Sequence, residues 1–231
     1  MKSVAYVGLD VHKQSVSYCV KTAEGRILGE GVLPATRAAL TEWAGALEPP
    51  WLGAMEATLF TGWIYDHLRP YAEELKVGHP LMLRAIIASK KKNDRVDARK
   101  LADLLRCDLF PECDIAPPEI RQLRRVLRFR NLILRQAIRM KNKIAGLLME
   151  VGAPYHKQKL HGKRYFAQLL MNLEEVPASV IELLQMSHGT MELFQGMQRQ
   201  LLEGLRQPPA LAERVSRLMS IPGVGQVTAL T

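Results

Sequence analysis

Four carboxylates in this sequence have the residue type and the positions expected of a divalent-metal site. Asp10 and Glu56 each follow a short apolar run, and Asp94 and Asp97 lie three residues apart at the start of a helical pattern. Residues three apart project from one face of a helix. Carboxylate oxygens are preferred ligands of Mg²⁺ and Mn²⁺. A cluster that holds two such ions roughly 3.5–4 Å apart supports phosphodiester chemistry, so these four residues are candidate metal-binding and catalytic residues.

Each of these carboxylates also has an ordinary structural explanation. Aspartate suits the exit from a strand, which would account for Asp10. An acid in the first turn of a helix is favoured by the helix dipole, which would account for Asp94, and Glu56 would serve as a cap partner. The metal hypothesis therefore depends on the joint arrangement. Three further acids are interpreted as solvated surface residues: Asp66, Asp103 and Asp108.

The elements that must bring the carboxylates together are predicted within residues 1–110. Alternating and apolar runs predict strands, and Thr36 is a predicted helix cap. The pattern reads βββαβα at its start, which indicates an α/β domain. The strands are predicted at 4–9, 15–21, 27–33, 51–55 and 75–78, and the helices at 36–47, 61–74, 80–89 and 94–106.

After the prolines at 111, 117 and 118 the pattern becomes almost entirely helical. Residues 117–207 are predicted to form a basic segment of long helices, of the coiled-coil type, that pair with each other or across a homodimer. Residues 208–231 contain Pro-Gly-Val-Gly between two helical stretches, which is typical of the start of a helix-hairpin-helix domain. On the first long helix the predicted apolar stripe comprises Ile120, Leu123, Leu127, Asn131, Leu134, Ile138, Ala145 and Leu148.

The charge of the chain points to a polyanionic partner. The formal net charge is +9 and the pI is about 9.6, which favours nucleic acid. Basic residues also surround Asp94, among them Arg99, and the stretch 119–143 carries nine bases against one acid. The predicted nucleic-acid-binding residues are Lys13, Lys90, Lys91, Lys92, Arg95, Arg121, Arg124, Arg125, Arg128, Lys157, Lys159, Lys163, Arg164, Gly223 and Gly225.

Several classes of protein are disfavoured by composition. The three cysteines form no metal-binding pair and indicate a reducing compartment. Asp10 interrupts the N-terminal apolar run too early for a signal peptide, and no stretch approaches the length of a membrane span. A cytoplasmic protein with no membrane partner is expected.

Three motifs together resemble the DEDD transposases of bacterial insertion sequences. They are GLDVHK at 8–13, MEAT at 55–58 and KNDRVDARKLADLL at 92–105, and IPGVGQVTA at 221–229 resembles the opening of the C-terminal domain of that family. The resemblance implies a ribonuclease-H-like, Holliday-junction-resolvase-like catalytic domain at 1–110. It also implies Asp10, Glu56, Asp94 and Asp97 as a magnesium- or manganese-binding quartet, with DNA and a structured bridge RNA as partners.

The resemblance implies DNA transposition or recombination, with one departure from the family. In the family the C-terminal domain continues beyond the Pro-Gly-Val-Gly turn and supplies a nucleophilic serine, and no serine of this sequence matches that position. Two alternatives stay open. One is a non-catalytic protein that binds nucleic acid and dimerises. The other is a sugar-kinase or actin-like ATPase, which also opens with a strand, an aspartate and a second strand but needs further glycine-rich loops.

Overall fold

A computed structural model of the chain describes residues 4–48, 50–87, 94–206 and 209–230. The side chains at 87, 94, 95, 206 and 209–211 lie outside that description. The predicted basic run Lys90, Lys91 and Lys92 and the side chains of Asp94 and Arg95 are therefore outside the described residues. The chain divides into two compact units, Met1–Ala116 and Pro117–Thr231. The three-part division predicted from the sequence stays a prediction.

The first unit is built on one five-stranded sheet. Its strands are β1 (Ala5–Val11), β2 (Ser15–Lys21), β3 (Ile27–Pro34), β4 (Trp51–Glu56) and β5 (Glu74–Gly78). The strand order is β3-β2-β1-β4-β5. β1, β2 and β3 are antiparallel neighbours, whereas β4 and β5 run parallel to β1. This mixed sheet with its helices fits the predicted ribonuclease-H-like domain.

Helices cover both faces of the sheet, which explains why β1 reads as a nearly continuous apolar run. On one face Val7, Leu9 and Trp51 are buried in a core with Leu40 and Ile64. The other face packs against the last helix of this unit. The helices are α1 (Arg37–Ala46), α2 (Thr61–Leu68), α3 (Pro80–Ile87) and α4 (Asp94–Arg106).

The prediction for α4 is confirmed, whereas the one for α2 is wrong at its C-terminal end. α1 begins as predicted after Thr36, whose hydroxyl accepts a hydrogen bond from the backbone N–H of Ala39 at 3.3 Å. α2 was expected to continue to Glu74 but ends at Leu68. The cause is Pro70, because a proline lacks the backbone N–H that the next helical hydrogen bond requires.

Gly8 allows α4 to approach β1 very closely. A Cβ atom at this position would collide with the carbonyl oxygen of Ala98 and would lie 2.6 Å from the backbone nitrogen of Ala102. Lys21, which pairs with Tyr6 near the start of β1, contacts Asp103 on a later turn of α4. α4 therefore runs antiparallel to β1, and its first turn lies toward the end of β1 that carries Asp10.

The second unit is helical. It comprises α5 (Pro118–Glu150), α6 (Lys163–Met171), α7 (Ala178–Arg206), α8 (Pro209–Met219) and α9 (Gln226–Leu230). α5 and α7 pack against each other, around a core that includes Ile144, Leu148, Leu184 and Met191. Whether this pair is a coiled coil, and whether 208–231 opens a helix-hairpin-helix domain, stay predictions. In the described ranges, no helix combines the length and apolar character needed to cross a bilayer.

The apolar stripe predicted for α5 is partly wrong. Leu148 is buried as expected, but Ile138 is 45% exposed and Asn131 is exposed. The buried positions are Ile133, Ala137, Ile144, Leu147 and Leu148. The apolar residues of α5 are compatible with either of two faces of the helix being buried. Packing against α7 determines which face it is.

His188 on α7 is buried and stacks on Phe166, with ring centroids 4.0 Å apart and an interplanar angle of 11°. Burial lowers the pKa of His188, and Glu192 opposes this shift without reversing it. Lys163 and His161 are the other charged or titratable groups beside it. The pKa of His161 is lowered too, mainly by burial.

We expect the helices of this unit to lose stability as the pH falls below about 6.5, the ordinary histidine pKa. The unfolded chain then binds protons that the buried imidazole does not, so the contribution of His188 is complete above that pH and declines below it. His188→Gln is expected to cost about 0.5–1.5 kcal/mol at pH 7.5 through lost stacking and to flatten the pH dependence. Denaturant unfolding of the full chain, followed by circular dichroism, measures both effects. His156→Gln, at an exposed position, is the control, and an unchanged pH dependence in His188→Gln would contradict the expectation.

Candidate metal centre and nucleic-acid interface

Asp10 and Glu56 are brought together at the carboxyl ends of neighbouring parallel strands. Leu9 on β1 pairs with Met55 on β4, so the next position on each strand places Asp10 beside Glu56. Adjacent strands lie about 4.8 Å apart, and residues at the same level of a parallel pair share a face of the sheet. Two carboxylates predicted from separate parts of the sequence therefore form one acidic edge.

The acidic edge lies on the sheet face that α4 covers. Side chains alternate along a strand, so Asp10 shares its face with Gly8, which contacts the backbone of Ala98 on α4. The side chain of Asp10 is 14% exposed. Enclosure by the sheet and the helix limits the water around this carboxylate, which strengthens its electrostatic interaction with a bound cation.

Asp94 and Asp97 belong to the first turn of α4. Asp94 is the first residue of the helix and lies one turn before Ala98, but its side chain is outside the described part of the chain. Asp97 is partly buried in the same first turn. Among the side chains that the structure describes, no three histidine, cysteine, aspartate or glutamate residues form a metal-binding group. The described site is thus an adjacent pair of carboxylates, and the contribution of Asp94 and Asp97 stays a prediction.

His12 is a neighbour of the site that the sequence motifs did not single out. Its Nε2 atom lies 3.2 Å from Oδ2 of Asp10, within hydrogen-bond distance, and its side chain is 48% exposed. Residues two apart on a strand share a face, so the spacing in Asp10-Val11-His12 was the available signal. The hydrogen bond orients the carboxylate of Asp10 at the end of β1.

Thr61 holds the chain that follows Glu56. Its hydroxyl donates a hydrogen bond to the carbonyl of Glu56 at 2.7 Å and accepts one from the backbone N–H of Thr58 at 2.7 Å. Thr61 is buried at the start of α2. This closed turn sets the direction in which the chain leaves the acidic edge. In the sequence, the two threonines were the only indication of such a turn.

One predicted role for a charged residue on α4 is wrong, and another is incomplete. Arg99 was expected to neutralise phosphates, but its Nε and Nη2 atoms donate to the two carboxylate oxygens of Glu30 at 2.6 and 2.5 Å. Asp103 lies at the surface as expected, with its side chain 41% exposed, and it also accepts hydrogen bonds from Lys21 at 2.5 Å and Arg106 at 2.8 Å. Burial raises the pKa of Asp103, and these two hydrogen bonds outweigh that effect and lower it.

The predicted nucleic-acid-binding residues of the second unit are largely on its surface. Arg124, Arg125 and Arg128 are exposed on the side of α5 that points away from the buried Ile133 and Ala137. Arg121 is half-buried on the same side. These guanidinium groups form a basic face along the first turns of α5. Lys13 of the first unit is exposed in the turn after β1.

The basic segment 154–166, which runs from the end of α5 into the first turn of α6, is attached to the helices by apolar side chains. Leu160 and Phe166 are buried in the core of this unit, whereas Lys157, Lys159, Lys163 and Arg164 are exposed. Lys163 also lies 3.5 Å from Glu192, so its charge is partly neutralised. Gly223, with a φ of +87°, and Gly225 are exposed in the turn before α9. Their contact with phosphate stays a prediction.

Comparisons with known proteins show the family to which the chain belongs. A family model described as "Transposase", that of the IS110-type DEDD transposases, matches residues 7–152 and so covers well over half of the chain. The matched range includes all four candidate carboxylates. A transposase for insertion sequence element IS1328 from Yersinia enterocolitica is 24% identical over 232 aligned residues, which cover 99% of this chain and 67% of that protein.

Proposed function

Since the chain belongs to the IS110-type DEDD transposase family, we propose that it takes part in DNA transposition or recombination through metal-dependent phosphodiester chemistry guided by RNA. The observation that carries the proposal is the placement of Asp10 and Glu56 at the same level of neighbouring strands. An otherwise basic chain thus has an acidic edge beside the first turn of α4. Carboxylates adjacent in this way repel each other unless a cation or proton lies between them.

The donors at this edge fit magnesium or manganese. Asp10, Glu56 and Asp97 offer only oxygen atoms, which suit these hard cations, and Asp94 is proposed as the fourth ligand. When bound, the metal supplies positive charge that stabilises the developing charge of a phosphodiester under attack. The residues of the chain contribute its position: His12 orients Asp10, and Thr61 holds the backbone at Glu56.

The basic face of α5 and the segment 154–166 are proposed to hold the phosphate backbone of DNA or of a structured guide RNA. Aromatic residues are only 6% of the chain, so contacts to backbone and shape are expected to outweigh base stacking. A homodimer or higher homo-oligomer is part of the same proposal. It would place two acidic edges on one nucleic-acid substrate.

Removing charge from the basic face is expected to weaken binding to all nucleic-acid sequences alike. Each phosphate contact adds about 0.9 to the slope of log affinity against log salt on duplex DNA. Arg124, Arg125 and Arg128 are changed to glutamine in a triple variant. The magnitude of this slope is therefore expected to be smaller by about 2–3 in the triple variant than in the parent. Fluorescence anisotropy with two unrelated duplexes, from 50 to 300 mM salt, measures it. Arg199→Gln is a control at an exposed position on α7, and an unchanged slope in the triple variant would remove α5 from the interface.

The test of the proposed function is strand cleavage by the full chain. Duplex and four-way-junction DNA, each with and without a structured RNA, would be incubated with Mg²⁺ or Mn²⁺ and with EDTA. The proposal expects strand breaks that need the divalent ion and both Asp10 and Glu56. Breaks that persist in Asp10→Asn, Glu56→Gln and EDTA would contradict it.

A second function is favoured by one observation. The described side chains contain no group of three metal-binding residues. A non-catalytic protein that binds nucleic acid and dimerises needs no such group. That function predicts salt-sensitive nucleic-acid binding without any divalent-metal binding at Asp10. Calorimetric titration with Mn²⁺ separates the two, because only the transposase proposal expects heat that disappears in Asp10→Asn.

A further inference from the structure

Two sets of ion pairs join α4 to β2 and β3, the strands on the far side of β1 from β4. Arg99 binds Glu30 of β3 through its Nε and Nη2 atoms, at 2.6 and 2.5 Å. Lys21 of β2 donates to Asp103 at 2.5 Å, and Arg106 donates to the other oxygen of the same carboxylate at 2.8 Å. Bidentate and charge-assisted hydrogen bonds are the strong and directional kind. Together these pairs fix both the rotation of α4 and its position along the sheet.

One member of these pairs is buried, although Asp103 and Arg99 are 41% and 42% exposed. The side chain of Lys21 is only 7% exposed, and a buried ammonium group is very unfavourable without a partner. Asp103 supplies the opposite charge for this ammonium group, so a shift of α4 that separates the two is unfavourable. Between the pairs lies Cys19, whose pKa is raised by burial, so it is a neutral spacer.

The same helix carries the acids proposed to complete the metal site. Ala98 contacts β1 at Gly8, and the first turn before it contains Asp94 and Asp97. A rotation of α4 by one residue, about 100°, would take these residues out of the positions from which they are proposed to complete the metal site. Ala98, Ala102 and Gly8 are small and apolar, and their contacts have no directional preference. These contacts therefore resist sliding of α4 along the sheet less than directional ion pairs do.

We infer that Glu30–Arg99 and Lys21–Asp103 are positioning pairs, which hold α4 in the register that presents its first-turn carboxylates to Asp10 and Glu56. These four residues do not contact the metal or the DNA in this role. The inference rests on the proposed metal-dependent function for its consequence, but the register of α4 is measurable without metal.

Charge reversal at Arg99 is the diagnostic change. Arg99→Glu places two carboxylates against each other and is expected to displace α4 and to weaken Mn²⁺ binding about tenfold, the effect typical of lost support around metal ligands. Extra negative charge near a cation site would by itself strengthen cation binding. A loss of affinity therefore reports geometry and not electrostatics. The double variant Glu30→Arg/Arg99→Glu restores the pair with reversed polarity and should recover most of the affinity.

The experiment combines calorimetry with a distance measurement on the full chain. Mn²⁺ affinity is measured for the parent, Arg99→Glu, the double variant and Glu24→Arg, a charge reversal at an exposed turn. In EDTA, electron–electron resonance measures the distance between spin labels at Gln14→Cys and Lys100→Cys, with Cys107 and Cys113 replaced by serine. The inference expects a narrow distance distribution in the parent, a broad one in Arg99→Glu and a narrow one again in the double variant.

The outcomes separate the two proposals. If the distance broadens and recovers as expected but the parent binds no Mn²⁺, the positioning pairs are supported and the metal-dependent function fails. If the parent binds Mn²⁺ and Arg99→Glu leaves both affinity and distance unchanged, the positioning role is overturned and the function stands. A fall in affinity that the double variant does not recover would also overturn it.

Discussion

Replacing Asp10 with asparagine is expected to weaken Mn²⁺ binding by more than about 100-fold and to abolish metal-dependent strand cleavage. Even residues that only support metal ligands typically contribute about 10–100-fold to affinity, and Asp10 is proposed as a ligand itself. Its side chain is enclosed between the sheet and α4. A neutral amide at this position leaves a single carboxylate, Glu56, at the acidic edge. Isothermal titration calorimetry measures the affinity, and a gel assay measures cleavage.

Loss of folding would not explain this result. The amide oxygen of asparagine still accepts a hydrogen bond from His12, and the change removes a charge from beside Glu56. The thermal midpoint of Asp10→Asn in EDTA is therefore expected to stay within a few degrees of the parent. Glu42→Gln, which removes an exposed carboxylate from α1, should keep full metal affinity. Parent-like Mn²⁺ binding in Asp10→Asn would leave the non-catalytic function as the better account.

Gly8→Ala is expected to destabilise the first unit by about 1–3 kcal/mol, the usual cost of forcing extra volume into a packed interior. The added methyl would meet the backbone of Ala98 and Ala102, and backbone atoms cannot swing aside as a flexible side chain does. α4 must move off the sheet, which also separates its first turn from Asp10. We therefore expect Mn²⁺ affinity to fall together with stability.

Tryptophan fluorescence is a suitable probe of this change. All three tryptophans of the chain, at positions 43, 51 and 63, lie in the first unit. Gly29→Ala is the matched control, because nothing lies within 4 Å of a Cβ at that position of β3. If Gly8→Ala unfolds at the same denaturant concentration as Gly29→Ala, the close approach of α4 to β1 does not contribute to stability as proposed.

Local patterns in the sequence were sufficient to predict most of the helices and strands. The bounds of β2 and α4 were predicted as the structure has them, because the alternation of strands and the period of helices depend on neighbouring residues. The carboxylates at strand ends and at a helix start were also visible locally. Their use as ligands is still a prediction, since Asp94 lies outside the described side chains.

The tertiary structure alone decided how distant residues combine. Asp10 meets Glu56 because β4 enters the sheet beside β1 in parallel register, and no local pattern specifies which strands become neighbours. Arg99 binds Glu30 and Asp103 binds Lys21 across 69 and 82 residues of sequence. A charged side chain looks the same in a sequence whether it faces solvent or a partner. Its role is set by the long-range packing that determines whether a buried opposite charge lies within reach.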